Sequence, residues 1–516
     1  MDFATNYEIS RTADFIRSRN FARVALQFPD DLLKDSTRVA SALREELRSL
    51  EESVGLERRD VGVFVMADTT YGSCCVDEVG ASHIDADCVV HYGHTCMSPT
   101  STLPALFVFG KASIDVNTCV ESLSHCLTTS NKPIMVLFGL EYAHAVQNIK
   151  EKLVVESSML GSSKYPVLHY ADVMCSVMNP SDYDKTLKGE LESSNGYTSN
   201  GNLLKCVNNN NILSPDHCKQ NTLPITSYNL GGLAWSLPQE HNIEDYLLFW
   251  IGPDNPAFAN VVLTFNNCEI VRYDAEDNRL VKDLSHQRRI LKRRYYLVEK
   301  AKDANIVGIL VGTLGVAGYL HMINQMKELI KGAGKKAYTL VMGRPNPAKL
   351  ANFPECDVFI YVSCAETALL DSKEFLAPVI TPFEAMLAFN RGSQWTGAYV
   401  MGFRDLMASA SPNVSNCSEE ARFSFLEGRY VEDLEPQRKA EEKERALVLA
   451  EATEKALNVG DKDSTPGLVK GIAKSGAEFF VSRSYRGLEM QNEKAPPQAF
   501  VMGRIGKASG YNDEKS

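Results

Sequence analysis

The order of apolar runs constrains this chain more than any other feature. Arg23–Asp30, RVALQFPD, is a short apolar run stopped by Pro29. A helix is predicted next, because Asp35 and Ser36 are good N-cap residues and Val39, Leu43, Leu47 and Leu50 fall on one face. Val61–Met66 and Cys88–Tyr92 are further buried-type runs. The same order returns later. Ile306–Val311 reads as a strand, and Leu320, Ile323, Met326 and Ile330 form a helical stripe that Gly332 and Gly334 end. Ala337–Met342, then Pro345–Leu350, then Val358–Val362 complete the series. Strand, helix, strand, connection, strand is the order of parallel βαβ units. In both regions an acid-bearing approach leads into the third strand and a cysteine closes it, DADCVVHYGHTC to Cys96 and ECDVFIYVSC to Cys364. We read a diverged internal repeat. Chance likeness between two α/β units is the alternative.

Between the two copies, Ile134–Phe138, Tyr246–Ile251 and Asn260–Phe265 read as strands of a middle domain. A Ser-, Asn- and Gly-rich insertion at 183–222 interrupts it and reads as a mobile loop. The predicted organisation is α/β throughout, with a first domain at 1–130, a middle domain at 131–300, a third at 301–402 and a partly disordered tail at 403–516. The first would carry Cys75 and Cys96, the third Cys364. In the tail, Glu432–Arg445 is charge-dense and Phe479–Glu489 reads as a segment that docks back. A length of 516 residues agrees with roughly three domains.

The net charge of −11 argues against nucleic acid or an anionic membrane as partner. The amino terminus has neither a basic nor an apolar leader region, and the apolar stretch Ile306–Leu320 is short and carries four glycines. The expectation is a cytoplasmic chain without a membrane anchor. Thirteen cysteines there are not a disulfide framework, so the question is whether some of them gather around a metal.

The densest chemical cluster is Tyr71–Cys96, YGSCCVDEVGASHIDADCVVHYGHTC. Ligand sites in parallel α/β units gather beyond the carboxyl ends of strands, where Cys74, Cys75, Cys96 and Cys364 fall. If the domains face a shared centre, thiols distant in sequence can converge. Thiolates are the usual ligands of iron–sulfur clusters, and three on a four-iron core leave one iron open. No C-x-x-C spacing occurs, which argues against a local metal loop, so any cluster must be assembled by the fold. Each thiol can also be a small buried hydrophobe. Cys88, Cys119, Cys126, Cys175, Cys268 and Cys356 fit that reading, whereas Cys206, Cys218 and Cys417 lie in polar segments. His91 and His94 beside Cys96 would suit zinc, but imidazoles satisfied by backbone are the favoured reading. Gly312–Gly318, GTLGVAG, follows a strand and opens a helix, yet has neither the dinucleotide spacing nor the lysine of a P-loop. Tight strand–helix packing explains its glycines as well as an anion does. Arg288, Arg289, Lys292, Arg293 and Arg294 crowd one predicted helix, either as a solvated face or as a site for an anion or acidic partner.

YGSCCVDEVGA (71–81), HYGHTC (91–96), GILVGTLG (308–315) and GRPNPAKLANFPECDVFIYVSC (343–364) together resemble the diphthamide synthesis family. Within it they resemble eukaryotic diphthamide biosynthesis protein 2, the second subunit of 2-(3-amino-3-carboxypropyl)histidine synthase. The resemblance covers most of 21–383, with an echo at 482–489. It implies a triplicated α/β fold, three small parallel sheets flanked by helices, with a cluster at the central domain junction. It also implies a reaction: an electron from a [4Fe–4S] cluster cleaves S-adenosylmethionine, and the three-carbon radical adds to a histidine of elongation factor 2. By motif match the ligands are Cys75, Cys96 and Cys364, with Cys74 as the alternative to Cys75. The family's catalytic subunit has a further cysteine in a motif like LGC, where this chain has Leu230–Gly231–Gly232. The resemblance therefore implies a heterodimer in which this chain supports reduction of the cluster in catalytic subunit 1. Diphthamide biosynthesis protein 3 would be the electron donor. The other functional reading is a cluster-free scaffold that stabilises the catalytic subunit.

Overall fold

The computed structural model describes residues 2–54, 61–66, 71–159, 167–180, 225–238, 241–370 and 374–390, and parts of 393–431. These fall in one of the two units into which the chain divides, Met1–Pro436; the other, Gln437–Ser516, lies outside the described residues. So do the 183–222 insertion, Cys206, Cys218, Cys417 and the segments 432–445 and 479–489.

Three sheets share one topology. The first joins β1 (Arg23–Gln27), β2 (Gly62–Val65), β3 (Cys88–Tyr92) and β4 (Ala105–Val108) in the order β2-β1-β3-β4, all parallel. The second joins β5 (Ile134–Phe138), β6 (Leu168–Tyr170), β11 (Leu247–Ile251) and β12 (Glu269–Asp274) in the order β6-β5-β11-β12. The third joins β14 (Ile306–Val311), β15 (Lys336–Val341), β16 (Val358–Val362) and β17 (Val379–Ile380) in the order β15-β14-β16-β17. In each, the first strand of the set pairs with the second on one side and the third on the other. Antiparallel β8 (Val177–Met178) and β13 (Arg279–Val281) each add a fifth strand, to the first and second sheets respectively. A small antiparallel sheet of β7 (Asp172–Val173), β9 (Ile225–Leu230) and β10 (Leu233–Pro238) and a hairpin of β18 (Arg422–Ser424) and β19 (Arg429–Val431) complete the strands described.

The acid before the third strand has a structural job in both outer copies. Asp87 accepts from the amides of Ala22 and Arg23 at 2.7 and 2.8 Å, and Asp357 accepts from Asn305 and Ile306 at 2.8 and 2.9 Å. Each carboxylate thereby satisfies amides at the start of the central strand and fixes its register against the third. Asp87 and Asp357 donate their own amides to Arg23 and Ile306. In the middle copy Leu247 donates its amide to the Pro133 carbonyl. Pro133 has no amide for a carboxylate to satisfy, and the acid of the approach, Asp245, accepts instead from the Asn242 amide at 3.4 Å. The middle copy therefore lacks this tie.

Asn260–Phe265 is not a strand but lies mainly in a helix, Pro256–Thr264. Asn255 caps it by accepting from the Phe258 amide at 3.0 Å, and Pro256 sits in its first turn. Its Val261, Val262 and Leu263 are buried on successive faces, so the run shows no helical period. Helix Leu284–Lys302 forms as predicted, but Arg294 turns inward.

Glu78 ties the first sheet together. Its buried carboxylate accepts from the Ser101, Thr102 and Leu103 amides and from both hydroxyls of Ser101 and Thr102, all at 2.6–2.8 Å. Burial raises its pKa, but these donors outweigh burial and hold the carboxyl below the usual range. The bonds are therefore fully present above the unfolded carboxylate's pKa and are lost as pH falls through the lower folded value. Glu78→Gln is expected to cost about 2 kcal/mol near neutral pH, since an NH2 group would face buried donors. Urea unfolding at pH 7 and pH 4 checks this: the gap between variant and wild type should narrow on acidification.

Candidate metal centre

Four thiols meet at one point. The sulfurs of Cys74, Cys75, Cys96 and Cys364 all lie within 4.8 Å of one another and all four residues are buried. Cys74 and Cys364 approach to 3.3 Å, and Cys96 and Cys75 to 3.7 Å. Cys74 and Cys75 lie between β2 and β3, Cys96 lies beyond β3, and Cys364 sits two residues past β16. The site thus forms at the carboxyl ends of strands from the first and third sheets. Both Cys74 and Cys75 join it, so the doublet presents no choice between them. Nε2 of His91 lies 3.0 Å from the Ser73 carbonyl and Nε2 of His94 3.5 Å from the Ser73 hydroxyl. Burial pushes the His91 pKa down to about 4, so it is neutral.

Local bonds hold the sulfurs in place. Gln27, at the end of β1, donates to the Cys75 carbonyl at 2.7 Å and accepts from the Asp77 amide at 2.8 Å. Thr95 Oγ1 and the Cys96 amide both donate to the Cys74 carbonyl at 3.2 Å. Hydroxyls of Ser98, Thr313 and Thr367 lie 3.1, 3.8 and 3.2 Å from Cys96, Cys75 and Cys364. Contacts from Cys74, Cys75 and Cys96 hold the Cys364 thiol well below its usual pKa, while Cys74 and Cys96 are raised. One negative charge is therefore favoured among four crowded thiols, and further thiolates need a cation.

The glycine turn explains how the third sheet gets so close. A Cβ on Gly315 would stand 2.2 Å from the Val76 carbonyl oxygen, next to Cys75. Ala317 donates to the Pro99 carbonyl, three residues beyond Cys96, at 3.1 Å. The glycines serve close packing between loops. Gly315→Ala must push the Val76 backbone away, and is expected to lower the affinity for a thiophilic metal by at least tenfold. Titration of the reduced chain with cobalt(II), read by its thiolate charge-transfer absorption, measures it.

The middle sheet supplies no sulfur to the group. Leu230–Gly231–Gly232 forms the β9–β10 turn, with φ of +57° and +81° at the glycines. A Cβ at Gly232 would lie 2.6 Å from Met97 Cγ, so the turn packs next to Cys96 without offering a ligand. A cavity of about 400 Å³ opens between Cys74 and this turn, lined also by Trp235, Trp250, Glu141 and Glu366. Burial, with the nearby Cys364 and Glu141, pushes the Glu366 carboxyl up to about 8. The cavity is the feature that reading the sequence missed, because its walls come from all three sheets.

The family described as "Putative diphthamide synthesis protein" matches residues 28–400. The chain belongs to the diphthamide synthesis family. Curated relatives named 2-(3-amino-3-carboxypropyl)histidine synthase subunit 2 are similar along nearly the whole length. The Gallus gallus protein is 36% identical over 98% of this chain and 92% of its own. The Schizosaccharomyces pombe protein is 34% identical over 100% and 92%. Among solved structures, Dph2 from Pyrococcus horikoshii superposes with a TM-score of 0.50 at 17% identity, covering 76% of this chain and 94% of that one. Another structure of the same protein contains a 4Fe-4S cluster and matches at the same TM-score with 18% identity. At that identity the likeness establishes the shared diphthamide-family fold. Among the described residues no helix is long and apolar enough to cross a membrane.

Proposed function

We propose that Cys75, Cys96 and Cys364, with Cys74 as a fourth thiol, hold a [4Fe–4S] cluster in the second subunit of a cytoplasmic histidine aminocarboxypropyl transferase. The donor set fits that group: four soft thiols, no oxygen or nitrogen ligand among them, and hydroxyls of Ser98, Thr313 and Thr367 close enough to donate to the sulfurs once these are thiolates. When bound, such a cluster takes up and gives back single electrons. The chain's own residues fix the sulfurs, exclude water by burial and supply hydroxyl dipoles that favour the reduced, more negative state. The convergence of the four thiols carries this reading. A fourth thiol would leave no iron open to an outside ligand, which favours electron transfer over cleavage of S-adenosylmethionine on this chain. The transfer of the 3-amino-3-carboxypropyl group to elongation factor 2 would then take place on catalytic subunit 1, with diphthamide biosynthesis protein 3 as electron source.

Paramagnetic resonance of the reduced, anaerobically purified chain, alone and with its partner subunit, tests the proposal. A reduced-cluster signal in the isolated chain, changed by Cys74→Ser as well as Cys75→Ser, is expected. A chain with no iron after reconstitution, whose triple Cys75, Cys96, Cys364 variant still supports modification under limiting reductant, would be a scaffold.

A further inference from the structure

The second strand of each set is an edge of its sheet, but the three edges differ. In the first sheet β2 keeps Val63 buried, and in the second β6 is half-buried throughout. In the third, five of the six residues of β15 are exposed. Parallel sheets are normally covered on both faces. This one leaves Tyr338 at 46% and Val341 at 70% exposure on opposite faces of its edge strand. Leu320, at the amino-terminal end of helix Tyr319–Gly332, is 61% exposed at the same end of the sheet as Val341. Among the described residues no strand pairs with the outer edge of β15. An exposed apolar edge strand about 20 Å long is an aggregation template unless something covers it.

We infer that β15 with Leu320 is the docking edge for the partner subunit proposed above, which would present an apolar segment flanked by carboxylates. Charge decides against a second copy of this chain. Exposed Lys336 begins the strand, exposed Lys331 lies just before it, and exposed Arg344 lies just beyond its end. Two such edges paired antiparallel about a two-fold axis would bring the lysine end of each against the Arg344 end of the other. Like charges there disfavour the homotypic pair. A partner with acidic flanks gains from the same residues. The Val341 end of the edge lies at the carboxyl end of the third sheet, the end beyond which Cys364 follows β16, so a subunit docked along the edge reaches the thiol-bearing end of that sheet.

The inference rests on the proposed subunit role, and its test separates the two. Tyr338→Glu combined with Val341→Glu is expected to weaken binding of the partner subunit at least tenfold by isothermal titration while leaving the isolated chain's melting temperature unchanged. In the wild-type complex, amide exchange along 336–341 should slow at least tenfold against the free chain. Wild-type affinity in the double variant, or unchanged exchange, overturns the docking edge and leaves the subunit role standing. Failure of the wild-type chain to bind the partner at all overturns both. A wild-type chain that is dimeric by light scattering, and monomeric in the double variant, assigns the edge to self-association and overturns the heterotypic inference.

Discussion

Cys364→Ala should strip most of the iron from the anaerobically reconstituted chain, a larger loss than any other single replacement at the site. The other three thiols all come from the 74–96 region, whereas Cys364 is the sole sulfur of the group from the third sheet. Removing it opens one whole side of the cage. Its sulfur stands 3.3 Å from Cys74 and 3.2 Å from the Thr367 hydroxyl, so the vacancy also removes a contact from each. The remaining thiols lose the neighbour that most readily holds negative charge, since contacts from the other three keep Cys364 well below the usual thiol range. Iron per chain by colorimetric assay, with visible absorption of the thiolate-to-iron bands, is the measurement. Iron at wild-type stoichiometry in Cys364→Ala would show that the third sheet does not contribute a ligand. Circular dichroism alongside keeps the result interpretable, because a small apolar replacement at a buried loop should preserve the fold.

Much of this architecture can be read from the chain. Apolar runs at 23–27, 88–92, 134–138, 306–311 and 358–362 are strands, because fully buried parallel strands have no polar face to disguise them. The paired aspartates before the third strands mark the outer copies because each has the same amides to satisfy. The middle copy lacks that tie, because Pro133 has no amide to offer and Asp245 bonds Asn242, and its helix Pro256–Thr264 buries residues on successive faces, so periodicity gives no help. The thiol site was legible as separate cysteines beyond strand ends, but not as a set of four. Whether neighbours in sequence, such as Cys74 and Cys75, both face one point depends on the turn that carries them, here fixed by Gln27 and Thr95. The inward turn of Arg294 within a run of cations was equally hidden, because its partner Glu384 is 90 residues away.

That pair carries the other large effect. Arg294 and Glu384 are almost fully buried, joined by a two-pronged bond in which Nε donates to Oε1 at 2.6 Å and Nη2 to Oε2. Glu384 also accepts from the Tyr399 hydroxyl at 3.0 Å and from the Thr381 amide at 2.8 Å, closing a capping box at the start of helix Pro382–Phe389. Burial alone would lower the Arg294 pKa, but Glu384 outweighs it and raises it further. A guanidinium holds its proton at any accessible pH, so Arg294 stays charged even without that partner. Glu384→Gln leaves that cation in the core with no countercharge, and replaces one of the two acceptor oxygens that join the helices with an NH2 group facing the guanidinium. We expect a loss of about 4 kcal/mol in unfolding free energy, within the range for breaking one member of a buried pair. Replacing both residues, Arg294→Met with Glu384→Gln, removes the stranded charge and should recover part of the loss. A double-mutant cycle by urea unfolding measures the coupling. If Glu384→Gln costs under 1 kcal/mol, water reaches the pair and the helix contact is not built on it. If the double variant is as unstable as the single one, the cost comes from the Thr381 and Tyr399 bonds rather than from the uncompensated charge.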